Sequence, residues 1–96
     1  VEAIQVDLGG WDTHVGQDPN AGSMYRTMLD FANALGAFWA DMIQGGTSHA
    51  VTVVALSEFG RNVRENGSQG TDHGRASAMF VLGRAIAGGR VLTHEW

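Results

Sequence analysis

The sequence predicts an α/β fold, a partial parallel sheet with a flanking helix, and three observations carry that reading. Short β-branched runs alternate with one long amphipathic stretch, glycine pairs close the segments, and the order is strand, helix, strand. That order implies a right-handed crossover between parallel strands. A chain of 96 residues has room for one domain and a modest core.

Val1 to Leu8 is β-branched-rich and is closed by Gly9-Gly10, the pattern of a buried strand. Trp11 to Gly22, with Gly16, Pro19, Asn20 and Gly22, reads as loop. Ser23 is a suitable helix N-cap. From there Met24, Met28, Phe31, Leu35, Phe38, Trp39 and Met42 recur at helical spacing and give one apolar face, read as core. Gly45-Gly46 stops the helix.

Ala50 to Leu56 is a second strand, apolar enough to be covered on both faces as parallel strands are. Gly60 to Gly74 is a polar loop of 15 residues, longer than most connections. Ser77 to Leu82 is a third strand, and Gly88-Gly89 turns the chain into Arg90-Val91-Leu92. The chain opens directly on a strand and stops at Trp96, so it reads as a piece of a longer protein.

Composition narrows the function classes. Net charge is −4, there is no lysine, and the six arginines are scattered, which argues against a surface that tracks nucleic-acid phosphates. No apolar run reaches the length of a membrane span. With no cysteine, any metal must be held by histidine and carboxylate. The glycines at 67, 70 and 74 lack the spacing and the lysine of a phosphate-binding P-loop. Ser57 is not in a Gly-x-Ser-x-Gly elbow.

The residues able to do chemistry gather in three places. Asp7 and Asp12-Thr13-His14 follow the first strand, Ser57-Glu58-Phe59-Gly60-Arg61 follows the second, and Thr71-Asp72-His73-Gly74 precedes the third. Ligands of open parallel sheets bind outside the carboxyl ends of the strands. The first two clusters fall there by position, and the long loop can return the third. Each cluster alone also suits a turn with local hydrogen bonds. Together they suit a divalent ion such as zinc or manganese. His49, after a turn, and His94, near the end, read as structural or solvated.

Gly9-Gly10-Trp11-Asp12-Thr13-His14, Ser57-Glu58-Phe59-Gly60-Arg61 and Gly70-Thr71-Asp72-His73-Gly74 resemble the domain-of-unknown-function 1501 family. That family is a bacterial, sulfatase-like branch of the alkaline phosphatase superfamily. The likeness extends over essentially the whole chain, including Met79-Phe80-Val81-Leu82-Gly83 and Gly88-Gly89-Arg90-Val91. Family members are several times longer. The resemblance therefore implies that residues 1–96 are the carboxy-terminal portion of a three-layer, alkaline phosphatase-like α/β domain.

It also implies roles. In the superfamily an acidic or amide residue ends one strand, an aspartate follows five residues on, and a histidine comes shortly after; the last two bind one metal. Asp7, Asp12 and His14 fit, although Asp12 and His14 are two apart rather than four. His73 matches the last histidine of that site. The second site would be reduced to Glu58 with Asp72, because Phe59 stands where the superfamily has a histidine. A register with Asp72-His73 as the Asp-His pair leaves Glu58 unexplained. Arg61 suits a phosphate or sulfate group, and equally a surface salt bridge.

The implied function is a metal-binding fragment of a phosphoric or sulfuric ester hydrolase, inactive alone because the superfamily's nucleophile lies upstream. Its substrate would be a small phosphate or sulfate ester, and its home periplasmic or extracytoplasmic. Phe59 favours the alternative, a non-catalytic structural or partner-binding module of an exported bacterial protein. Exposed sheet edges would invite strand addition between copies, hence a homo-oligomer.

Overall fold

The computed structural model describes residues 2–93. In chain order these form helix α1 (Ser23–Gln44), a 3-10 turn (Ser48–Ala50), and strands β1 (Thr52–Leu56), β2 (Gly60–Arg61), β3 (His73–Gly74) and β4 (Met79–Gly83). The class is mixed α/β.

The sheets are antiparallel, which corrects the parallel arrangement. β1 pairs with β4 from Thr52↔Gly83 to Leu56↔Met79, and β2 pairs with β3 through Gly60↔Gly74 and Arg61↔His73. The reason is the partner that β1 finds: a strand after the polar loop rather than one before the helix. Residues 57–78 leave and re-enter the same end of the β1–β4 pair, a path that makes the two strands antiparallel.

Residues 2–8 have no regular secondary structure, which corrects the strand read over 1–8; Val1 itself lies outside the described residues, as does His94. A strand exists through its ladder. None of the described strands pairs with this segment, and Ile4 and Val6 stand 81% and 86% exposed.

α1 follows the predicted spacing and ends at Gly45, where the Gly45 N–H donates to the Asp41 carbonyl at 2.8 Å and Gly46 takes φ +72°. Its start differs from expectation. The N-cap is Gly22, without a side-chain cap, and Ser23 is the first helical residue. The Gln17 carbonyl accepts from the Met24 N–H at 3.1 Å and does part of the capping instead.

The helix face read as core is only partly covered. Met24, Phe31, Leu35, Trp39 and Met42 are half-buried, Met28 and Phe38 are exposed, and among the described residues no hydrophobic side chain is fully buried. Length explains this. A 22-residue helix runs about 33 Å, whereas five-residue strands run roughly 17 Å and only two lie side by side. Phe80 and Leu82 of β4 line one groove with Met28, Phe31, Leu35 and Trp39. The chain's accessible surface of 7889 Å² exceeds the roughly 5,300 Å² of a compact monomer this size. No helix among the described residues is long and apolar enough to cross a membrane.

Candidate metal centre

Two loops build the site, and backbone hydrogen bonds hold them together. The Gly16 N–H donates to the Ser68 carbonyl at 2.9 Å, Gln17 N–H to Gln69 at 2.8 Å, and Thr71 N–H to Thr13 at 3.2 Å. The Thr71 hydroxyl adds a 2.8 Å bond to Gln17 Oε1. The second loop is closed at its base by β2 and β3, extended by a bridge between Arg61 and Ala76. The first loop is anchored on α1: the Trp11 ring meets Phe31 edge-on at 6.0 Å. Phe31 in turn lies 6.2 Å from Phe80 of β4. Asp12 thus follows an aromatic anchor, and His73 stands opposite Arg61 in a paired register.

Asp12 Oδ1 is the meeting point. His73 Nε2 lies 2.7 Å from it, His14 Nε2 2.9 Å and an Arg61 guanidinium nitrogen 3.3 Å. One ligand-type atom from each of Asp12, His14 and His73 falls within 4.8 Å of the others. The His73 ring is sandwiched, 4.5 Å from Phe59 in near-parallel stacking and 5.0 Å from His14. The Arg61 guanidinium sits 5.2 Å over the same Phe59 ring and donates to the Thr71 and Trp11 carbonyls. Its charge is spent inside the loop junction. The half-exposed side chains of Asp12, His14 and His73 leave the convergence open to solvent.

The charges are arranged to favour carboxylate. The hydrogen bond from His73 holds the Asp12 carboxyl below its usual range against a desolvation cost, helped by the charges of His14, His73 and Arg61. The hydrogen bond from His14, then that from Asn66, does the same for Asp72.

Asp12, His14 and His73 converge, and Arg61 and Asp72 lie beside them. Asp72 Oδ1 is 2.9 Å from His14 Nδ1, behind that ring relative to Asp12. Asp7 and Glu58 do not join the group. Asp7 accepts from Gln5 at 3.1 Å in the exposed first segment, and Glu58 is an exposed residue of the turn that Ser57 closes on Phe59. His49 is exposed, in the 3-10 turn.

Sequence reasoning missed Asn66. Its Oδ1 accepts from the Ser68 and Gly70 N–H groups at 2.9 and 3.1 Å, and its Nδ2 donates to the His14 carbonyl at 2.9 Å and Asp72 Oδ1 at 3.0 Å. The available signal was Asn66-Gly67, a turn dipeptide in the middle of a polar loop. Phe59 was also undervalued: it is the platform on which His73 and Arg61 rest.

A comparison with protein families matches residues 1–94 to the family described as "Protein of unknown function (DUF1501)". No curated protein and no solved structure matches the chain.

Proposed function

We propose that this chain, which belongs to the DUF1501 family, binds one divalent cation, zinc or manganese, through Asp12, His14 and His73. We further propose that it is the ligand-bearing part of a phosphoric or sulfuric ester hydrolase with an alkaline phosphatase-like architecture. The observation that carries the metal reading is the convergence of one carboxylate oxygen and one ring nitrogen from each of two histidines within 4.8 Å of one another, with both Nε2 atoms within 2.9 Å of Asp12 Oδ1. Two nitrogens and an oxygen suit zinc in its open, three-ligand form. A bound ion would polarise a phosphate or sulfate oxygen and activate the attacking group.

The chain's own residues do the positioning. Asp12 presents its carboxylate from a loop anchored by Trp11. His73 is held flat between Phe59 and His14. Arg61 ties Trp11 and Thr71 together and so fixes the distance between the loops. With Phe59 as an aromatic platform and Glu58 outside the group, the site fits a single ion.

One observation favours a second reading. Arg61 also donates to Asp12 Oδ1, at 3.3 Å, so the cluster equally serves as a hydrogen-bonded clasp in a non-catalytic module. Zinc titration of the chain, alongside His14→Ala and His73→Ala, separates the two. One zinc per chain, lost in both variants while the helix content is retained, supports the metal site. A wild-type chain that takes up no zinc leaves the clasp.

A further inference from the structure

We propose that Asp72, held in place by Asn66, is a positioning residue that selects the ring nitrogen through which His14 ligates the ion; this rests on the metal reading above. The His14 ring lies between two carboxylates. Its Nε2 is 2.9 Å from Asp12 Oδ1, and its Nδ1 is 2.9 Å from Asp72 Oδ1. An ionised carboxylate only accepts hydrogen bonds, so in the metal-free chain each contact calls for a proton on the nitrogen that faces it, Nε2 toward Asp12 and Nδ1 toward Asp72. An ion held by Asp12 would take the place of the Nε2 proton, while the bond to Asp72 keeps the proton on Nδ1, so the neutral ring would offer its lone pair from Nε2. This is the outer-shell logic of metal-bound histidine, in which a carboxylate on the far nitrogen fixes tautomer and ring orientation.

Asn66 makes Asp72 fit for the role. Its Nδ2 donates to the same Asp72 oxygen at 3.0 Å and to the backbone carbonyl of His14 at 2.9 Å. One carboxamide therefore fixes the carboxylate and the peptide frame of the ring that it orients. The Asp72 backbone is held as well, its carbonyl accepting from the Asn62 N–H at 2.8 Å. Asp72 reaches the outer side of the His14 ring and lies outside the converging group. The structure thus assigns it to orientation rather than to ligation.

The test is ring-nitrogen NMR on the 15N-histidine-labelled, zinc-loaded chain, with zinc affinity measured in parallel for wild type, Asp72→Ala and Asp72→Asn. In the wild type, His14 should bind zinc through Nε2 and retain its proton on Nδ1. Asp72→Ala should lower zinc affinity about 10- to 100-fold and give a mixed ring-nitrogen signature. Asp72→Asn keeps the shape and an accepting oxygen, so it should retain the Nε2 signature with a smaller loss. It also serves if the alanine variant does not fold. Unchanged affinity and ring signature in a folded Asp72→Ala chain would overturn the inference while leaving the metal site standing. A wild-type chain that takes no zinc overturns both.

Discussion

Gly70 lies so close to the backbone of His14 that no side chain fits between them. A Cβ at Gly70 would sit 2.7 Å from the Thr13 carbonyl oxygen and closer still to the His14 carbonyl. The obstacle is backbone, which cannot swing aside as a flexible side chain does. The approach lets Thr71 reach Thr13 and brings Asp72 and His73 up to His14. Gly70→Ala should therefore part the loops, destabilising the chain by about 1–3 kcal/mol as overpacking does and weakening zinc binding. Urea unfolding and zinc titration check both effects. A variant with wild-type stability and affinity would mean that the loops do not meet this closely.

Thr13 stands between the two first-loop ligands and is buried, yet its hydroxyl has no hydrogen-bond partner among the described residues. A buried unsatisfied hydroxyl costs about 1–3 kcal/mol. Thr13→Val keeps the branched shape and removes the group. The variant should be more stable by about 1 kcal/mol, with zinc affinity unchanged. A fall in affinity would instead place this hydroxyl among the groups that serve the ion.

The local order of the chain was legible because local rules set it. Phe31, Leu35 and Trp39 mark one helical face, and Gly45-Gly46 ends it. Ala50 to Leu56 reads as strand whichever partner it takes, and Thr52–Leu56 of it forms β1. The partner was not legible: Val54 pairs with Val81, a choice made by the path of residues 57–78 and not by any residue of β1. The strand expected over 1–8 failed for a similar reason, since composition supplies strand propensity but not a neighbour. At the site, Asp12, His14 and His73 stood out by residue type and motif. Asn66 did not, because its importance comes from hydrogen bonds to His14, distant in sequence, and an asparagine beside a glycine looks like any turn.

Phe59 supports His73 and Arg61 on one ring, stacked at 4.5 Å on the imidazole and 5.2 Å below the guanidinium. Aromatic pairs add about 0.5–1.5 kcal/mol beyond burial, and a cation over a ring from about 0.5–1 when exposed to about 2 when desolvated, with the Arg61 side chain 16% exposed. Phe59→Leu keeps an apolar side chain but removes the flat face. It should cost about 1–2 kcal/mol in stability and weaken zinc binding, while Phe59→Tyr should retain both. Thermal unfolding with and without zinc measures the two quantities. Equal behaviour of the leucine and phenylalanine chains would show that the stacking contributes nothing.

Acid should loosen the junction through Asp72. Hydrogen bonds from His14 and then Asn66, with the charges of His14 and Arg61 acting in the same sense, hold this carboxyl below its usual range in the folded chain. In the unfolded chain it returns to about 3.9. A group with a lowered folded value binds its proton more tightly when unfolded, so its contribution is fully present above the unfolded value. That contribution disappears as pH falls through the folded value. Asp12 acts in the same direction, its main support being the bond from His73. The measurement is the carboxyl-carbon NMR titration of Asp72 in the chelator-treated chain, carried from neutral pH down through the carboxylate range. Asp72 should titrate below the ordinary aspartate range in the wild type and move upward in Asn66→Ala, with a shallower acid loss of stability. An ordinary Asp72 titration in the wild type would mean that neither His14 nor Asn66 holds the carboxylate in solution.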